Sequence, residues 1–203
     1  HFNPAVSISM ILAGKMKVRD LPAYLLGQCA GAFLAAGSLW VMFGDSVAKN
    51  LSNNGLTMST NSIGSAATIW CEVFPNTANG TVPMMVGAFA EGFGVFILCL
   101  VILSLTSDEN MSKTLSSELG KDNTLINVIG PLTDAGLNPA RDIMPRLWAA
   151  CVGWGSICFG NNIMDTICVY VVGPFVGGIV AALAYRYILK PMHLKKDEEK
   201  IEA

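Results

Sequence analysis

The tripeptide Asn-Pro-Ala occurs twice in this chain, at Asn3-Pro4-Ala5 and at Asn138-Pro139-Ala140. Each copy opens an apolar stretch too short to cross a bilayer. Asparagine is favoured at a helix N-cap and proline at the first helical position, so each tripeptide is a helix start. A single copy would be an ordinary helix N-terminus. Two copies ahead of short helices, in a chain built for lipid, predict two helix ends that meet.

That the chain is built for lipid follows from charge and length. Of its 203 residues, 52% are hydrophobic and 14% charged, with a mean hydropathy of +0.50. Soluble domains carry about 25% charged residues. Residues 21–43 and 167–185 contain no charge, and 82–106 contains Glu91 alone. A helix crosses the hydrocarbon core with about 20 apolar residues, so these are three predicted membrane spans rather than core helices of a soluble domain. The net charge of −2 gives no argument for nucleic acid. The six cysteines show no C-x-x-C spacing and read as small apolar packing residues. His1 and His193 lie far apart, so neither a metal site nor a cofactor is expected. Without a nucleophile–base pair, an enzyme is not expected either.

The remaining segments order themselves around the spans. A first half-helix over 1–13 leads into a basic loop holding Lys15, Lys17 and Arg19, which the positive-inside bias places in the cytoplasm. The polar stretch 44–81 then lies outside, with sequons at Asn50 and Asn79, of which only Asn50 stands clear of the membrane. A second half-helix over 138–151 precedes the last span, and the tail 190–203 is charged and cytoplasmic. Gly27 with Gly31, and Gly173 with Gly177, have the spacing of tight helix packing in lipid.

His1-Phe2-Asn3-Pro4-Ala5-Val6 and Gly130-Pro131-Leu132-Thr133 followed by Gly136-Leu137-Asn138-Pro139-Ala140-Arg141-Asp142 resemble the two signature loops of the aquaporin superfamily. Gly27 to Phe33, Ala90-Glu91, Gly173 to Gly177 and Ala184 to Arg186 resemble its third, fourth and sixth spans. Asp142 after Arg141 resembles the glycerol-conducting branch, the aquaglyceroporins. The resemblance implies an all-α integral membrane bundle with two re-entrant half-helices, forming one channel domain over 1–203. It implies passage of glycerol, water and other small polyols or urea, a homo-tetramer, and the plasma membrane as its location. It further implies that Asn3, Pro4, Ala5, Asn138, Pro139 and Ala140 form the midplane constriction. Arg141, Ala135 and Gly130 would form the selectivity filter, and the carbonyls of His1, Phe2, Asp134 and Gly136 would line the pore unpaired. Asp142 would shape the loop around Arg141 and pair with Arg146, and Glu91 would brace loop backbone.

The chain also departs from that pattern. The family's first two spans have no counterpart, and 124–132 would make about 14 Å of helix against a core of about 30 Å, so most of the fifth span is missing. Asp134 stands where glycine is usual, Ala135 where an aromatic narrows the glycerol filter, implying a wider mouth, and Tyr170 where the glycerol branch has proline. With two full crossings between the motifs, both half-helices would start from one face and could not meet, so this chain alone is expected to form no complete pore. Other readings are a non-conducting variant that joins complete subunits, and a secondary transporter with broken helices, which predicts saturable, ion-coupled uptake.

Overall fold

The computed structural model describes residues 1–58, 69–72, 74, 82–106, 124–160 and 162–191, those at 124–128 by backbone only. Six helices organise them: α1 (Pro4–Leu12), α2 (Leu21–Asn53), α3 (Met84–Leu105), α4 (Thr124–Thr133), α5 (Pro139–Ala149) and α6 (Ile163–Leu189). Helices α2, α3 and α6 are long and apolar enough to cross a membrane. Among the described residues there is no strand.

Two spans run further than the sequence predicts. Helix α2 continues from the predicted end at Phe43 to Asn53, because Val47 and Leu51, one turn apart, bury against Trp70 and Trp154. The polar composition of 44–53 hid this i, i+4 stripe. Asn50 is therefore a residue of the last turn of α2, where its carbonyl accepts the Asn54 backbone and side-chain N–H groups. Helix α6 starts earlier than predicted, at Ile163, where the Asn162 side chain caps the Met164 N–H at 3.0 Å. The Asn79 sequon and the tail beyond 191 lie outside the described residues.

Glycine sets the approach of α3 and α6. A Cβ at Gly92 would stand 2.8 Å from the Gly173 carbonyl oxygen, and one at Gly177 would overlap the Gly92 carbonyl, so the two backbones touch. Close approach of this kind is how helices associate in lipid, where burying side chains from the solvent drives nothing. The pair Gly27 and Gly31 behaves otherwise. Among the described residues nothing stands within 4 Å of a Cβ built at either, and both face an open cleft instead of a packed helix.

The half-helices α1 and α5 run from a common point to opposite ends of the bundle. The far end of α1, at Met10, Leu12 and Ala13, packs with Leu103, Ala182 and Tyr185. The far end of α5, at Trp148 and Ala149, packs with Ala36, Trp40 and Trp70. Their N-termini face each other, which overturns the expectation that the two motifs share a face and cannot meet. Counting only complete crossings ignored α4. Its 10 residues rise about 15 Å, half a span. Ile129 lies against Gly94 and Thr133 against Glu91, so α4 runs antiparallel to α3 along half its length. A half crossing is enough to deliver Asn138 from the far side, and the parity reason for expecting no complete pore disappears.

Candidate functional site

Each asparagine of the repeated tripeptide is an N-cap whose oxygen is consumed by its own helix. Asn3 Oδ1 accepts from the Ala5 N–H at 2.9 Å, and Asn138 Oδ1 from the Ala140 and Arg141 N–H groups at 3.1 and 3.3 Å. With the oxygen fixed, the amide nitrogen must point away from the helix. Asn3 Nδ2 donates to the Leu137 carbonyl at 2.8 Å and Asn138 Nδ2 to the Phe2 carbonyl at 3.0 Å. An amide nitrogen carries two N–H groups, so each side chain keeps one donor beyond the bond that crosses to the other loop. Two helix N-termini, each worth roughly half a positive charge, converge on this place.

A brace from a spanning helix holds each loop. In the first, Gln28 of α2 donates to Ser7 Oγ at 2.9 Å and to the His1 carbonyl at 3.3 Å, while Ser7 Oγ donates to the Asn3 carbonyl at 3.1 Å. In the second, the fully buried Glu91 of α3 accepts from Thr133 Oγ1 at 2.6 Å, the Gly136 N–H at 2.8 Å and the Leu137 N–H at 2.6 Å. That loop needs holding. Asp134, Ala135 and Leu137 all have positive φ, at 62°, 58° and 52°. Each costs roughly 1 kcal/mol for a residue with a Cβ. Tyr170 closes the loop's other side, its hydroxyl donating to the Thr133 carbonyl at 2.7 Å.

Arg141 is the third residue of α5, where the helix dipole disfavours a cation. Its side chain is 55% exposed and forms an ion pair with Glu72. Next to it, Asp142 and Arg146 form a buried two-pronged pair with bonds of 2.7 and 2.8 Å. The rest of the Arg146 guanidinium donates to the carbonyls of Glu72 and Cys158, and its face lies 4.9 Å from the Tyr170 ring centre. Arg146 thus ties α5 to two chain segments that close its outer end. A cleft of about 460 Å³ opens beside the motifs, lined by Phe2, Gln28, Glu72, Asn138 and Arg141 and floored by Gly27 and Gly31 of α2. Its lining mixes these polar side chains with apolar ones such as Leu39 and Trp70.

The structure brings Asn3, Asn138 and Arg141 to one place and departs from the sequence reading elsewhere. The carbonyls of His1 and Phe2 are not unpaired, because Gln28 and Asn138 donate to them. Gly130 lies inside α4, where its carbonyl accepts the Asp134 N–H at 2.8 Å. Ala135 is buried with Ala90 and Ile129, so its small side chain fills the bundle and does not widen the cleft. Sequence reasoning missed Glu72, Gln28 and Thr133. Glu72 sits in a polar stretch with no local pattern to single it out. Gln28, a polar group inside a span, was a usable signal.

A family profile described as Major intrinsic protein matches residues 1–185. The chain is 30% identical to Aquaporin-9 of Homo sapiens over 204 residues, which takes in 97% of this chain and 65% of that protein. It is 32% identical to Aquaporin NIP1-1 of Zea mays over 95% of this chain and 57% of that one. It is 34% identical to the Glycerol uptake facilitator protein of Escherichia coli (strain K12), over 93% of this chain and 68% of that protein. The chain therefore spans about two thirds or less of the length of these relatives. The X-ray structure of the aquaglyceroporin from Plasmodium falciparum superposes with a TM-score of 0.71 at 22% identity, covering 95% of this chain and 74% of that one, which is a likeness of fold.

Proposed function

Since the chain belongs to the major intrinsic protein family, a family of membrane channels, we propose that its two facing half-helices form the constriction of a passive path for glycerol, water and other small uncharged solutes, urea among them. The observation that carries this reading is the reciprocal bonding of Asn3 and Asn138. Their oxygens are bound to their own helices and one N–H of each is bound across, so what remains for a passing solute is a pair of donors. A hydroxyl or water oxygen accepts from them. A cation arriving at the same point meets two positive helix ends. Arg141 stands further along the cleft as a second barrier to cations and a donor to solute oxygen. Glu91, Gln28 and the Asp142–Arg146 pair hold these groups in place. The names of human Aquaporin-9 and the bacterial Glycerol uptake facilitator protein support glycerol as a solute. A homo-tetramer in the plasma membrane is the assembly that the resemblance implies.

The test is light scattering from proteoliposomes holding the chain, with a glycerol gradient. Swelling should exceed that of empty vesicles and rise linearly with glycerol concentration. Asn138→Asp keeps the helix cap, removes the donor and sets an anion at the constriction, so glycerol flux should fall about tenfold, the worth of about 1.4 kcal/mol. Swelling no faster than empty vesicles, or saturable uptake coupled to an ion gradient, would overturn the reading. Crosslinking to a four-fold ladder and surface biotinylation of cells address assembly and location.

A further inference from the structure

Two cysteines meet at the end of the bundle where α5 terminates. Cys71 lies beside Glu72 in the segment that covers Arg141, and Cys158 lies in the turn between α5 and α6. Both are buried, at 1% and 0% exposure, in one cluster with Trp70 and Trp154. The two backbones converge independently of the thiols, because the Arg146 guanidinium donates to the Glu72 carbonyl on one side and the Cys158 carbonyl on the other. The other cysteines are elsewhere: Cys29, Cys99 and Cys168 lie in α2, α3 and α6, and Cys151 is exposed.

We propose that Cys71 and Cys158 are joined as a disulfide that clamps the Glu72 segment over Arg141 and Arg146. The bond requires an oxidising compartment, and this end lies opposite the basic loop of Lys15, Lys17 and Arg19. The inference rests on the orientation that this loop dictates and not on conduction. The oxidant is an external disulfide, of an oxidoreductase or a small thiol. One cysteine thiolate opens it to a mixed disulfide and releases one thiol. The second cysteine gives up its proton and displaces the other oxidant sulfur. The chain loses two electrons and two protons, and the oxidant becomes two thiols. Because the closed cluster leaves neither sulfur accessible, exchange takes place while the two segments dock. Within the cluster the neighbouring Cys71 thiol and the nearby Arg146 charge hold Cys158 below the usual thiol range. The neighbouring Cys158 sulfur, with burial, raises Cys71.

The experiment is a thiol count on the full chain, made in a secretory-pathway host and denatured in detergent with a maleimide-tagged polymer. The six cysteines should give four tags without reductant and six with it. Cys71→Ser and Cys158→Ser should each give five tags under both conditions, and a proteolytic digest should hold one linked peptide pair containing residues 71 and 158. All four tryptophans lie in or against this cluster. Their fluorescence should rise on reduction in the unaltered chain and not in either variant, since a disulfide quenches neighbouring indoles. Six tags without reductant would overturn the proposal, and so would a linked peptide joining either cysteine to Cys151. The thiol count reads the same whether or not the protein passes glycerol, so failure here is separable from failure of the channel reading.

Discussion

Asn3 and Asn138 hold each other's loops. The amide of each donates to the carbonyl of the residue immediately before the other, Leu137 in one direction and Phe2 in the other. The two motifs are therefore one hydrogen-bonded unit, and neither loop has its final shape without its counterpart. Loss of either side chain removes an N-cap worth about 1 kcal/mol and a cross bond of similar size. Asn3→Ala and Asn138→Ala should each cost about 2 kcal/mol, and the double variant should cost less than the sum by 0.5 kcal/mol or more, as neighbours in one network do, roughly. Unfolding in mixed detergent micelles measures all three, and strict additivity would mean that the loops are independent.

Glu91→Gln keeps the shape of the side chain and changes its bonding. The carboxylate accepts three hydrogens, from Thr133, Gly136 and Leu137. A glutamine turns one of its two ends into a donor, which faces another donor. The expected cost is about 1–3 kcal/mol of stability, because a buried N–H is left without an acceptor. The loop with positive φ at Asp134, Ala135 and Leu137 should then relax, and glycerol flux should drop with it. Protease sensitivity of that loop and flux in the same preparation check both.

Asp142 and Arg146 are each at most 1% exposed and satisfy each other by two bonds. Removing one partner leaves a buried charge alone, so Asp142→Asn or Arg146→Met should cost about 3–5 kcal/mol. Replacing both, as Asp142→Leu with Arg146→Met, should cost less than Arg146→Met alone, since no charge is stranded. Folded yield and melting in detergent distinguish the cases. A double replacement no better than Arg146→Met, with both far worse than Asp142→Asn, would show that the bonds of Arg146 to the Glu72 and Cys158 carbonyls matter more than the pair.

A methyl group at Gly136 would stand 2.6 Å from Tyr170 Cδ1. Gly136→Ala should therefore destabilise the chain by about 1–3 kcal/mol through overpacking. Tyr170→Ala in the same chain should recover part of that loss. Thermal unfolding of the two single variants and the double one measures the recovery, and its absence would place the strain in the backbone instead.

The parts of this fold that the sequence reveals are those that depend on short stretches. The caps at Asn3 and Asn138, the three spans, the half-length α4 and the Asp142–Arg146 pair each follow from residues within one or two turns. What escapes is set by distant partners. Val47 and Leu51 prolong α2 only because Trp70 and Trp154 arrive to cover them. The Glu72 carboxylate is one acid among many until the fold lays it on Arg141. The meeting of the two motifs was misjudged for a related reason. A helix that covers half the bilayer has no place in a tally of whole crossings, yet Thr133 at its end fixes where the second loop begins.

The exchange between Asn3 and Leu137 spans 134 positions of the chain. At a synthesis rate of roughly 5–20 residues per second, the first motif leaves the ribosome on the order of ten seconds before its counterpart exists. Through that interval the Asn3 amide and the Phe2 carbonyl have no Leu137 or Asn138 to meet, and hydrocarbon offers no substitute. The nascent first half must wait at the aqueous surface or against another helix of the insertion machinery, and slip into place only when the second half is made. The bonds between the two motifs therefore cannot form before residue 138 has been made.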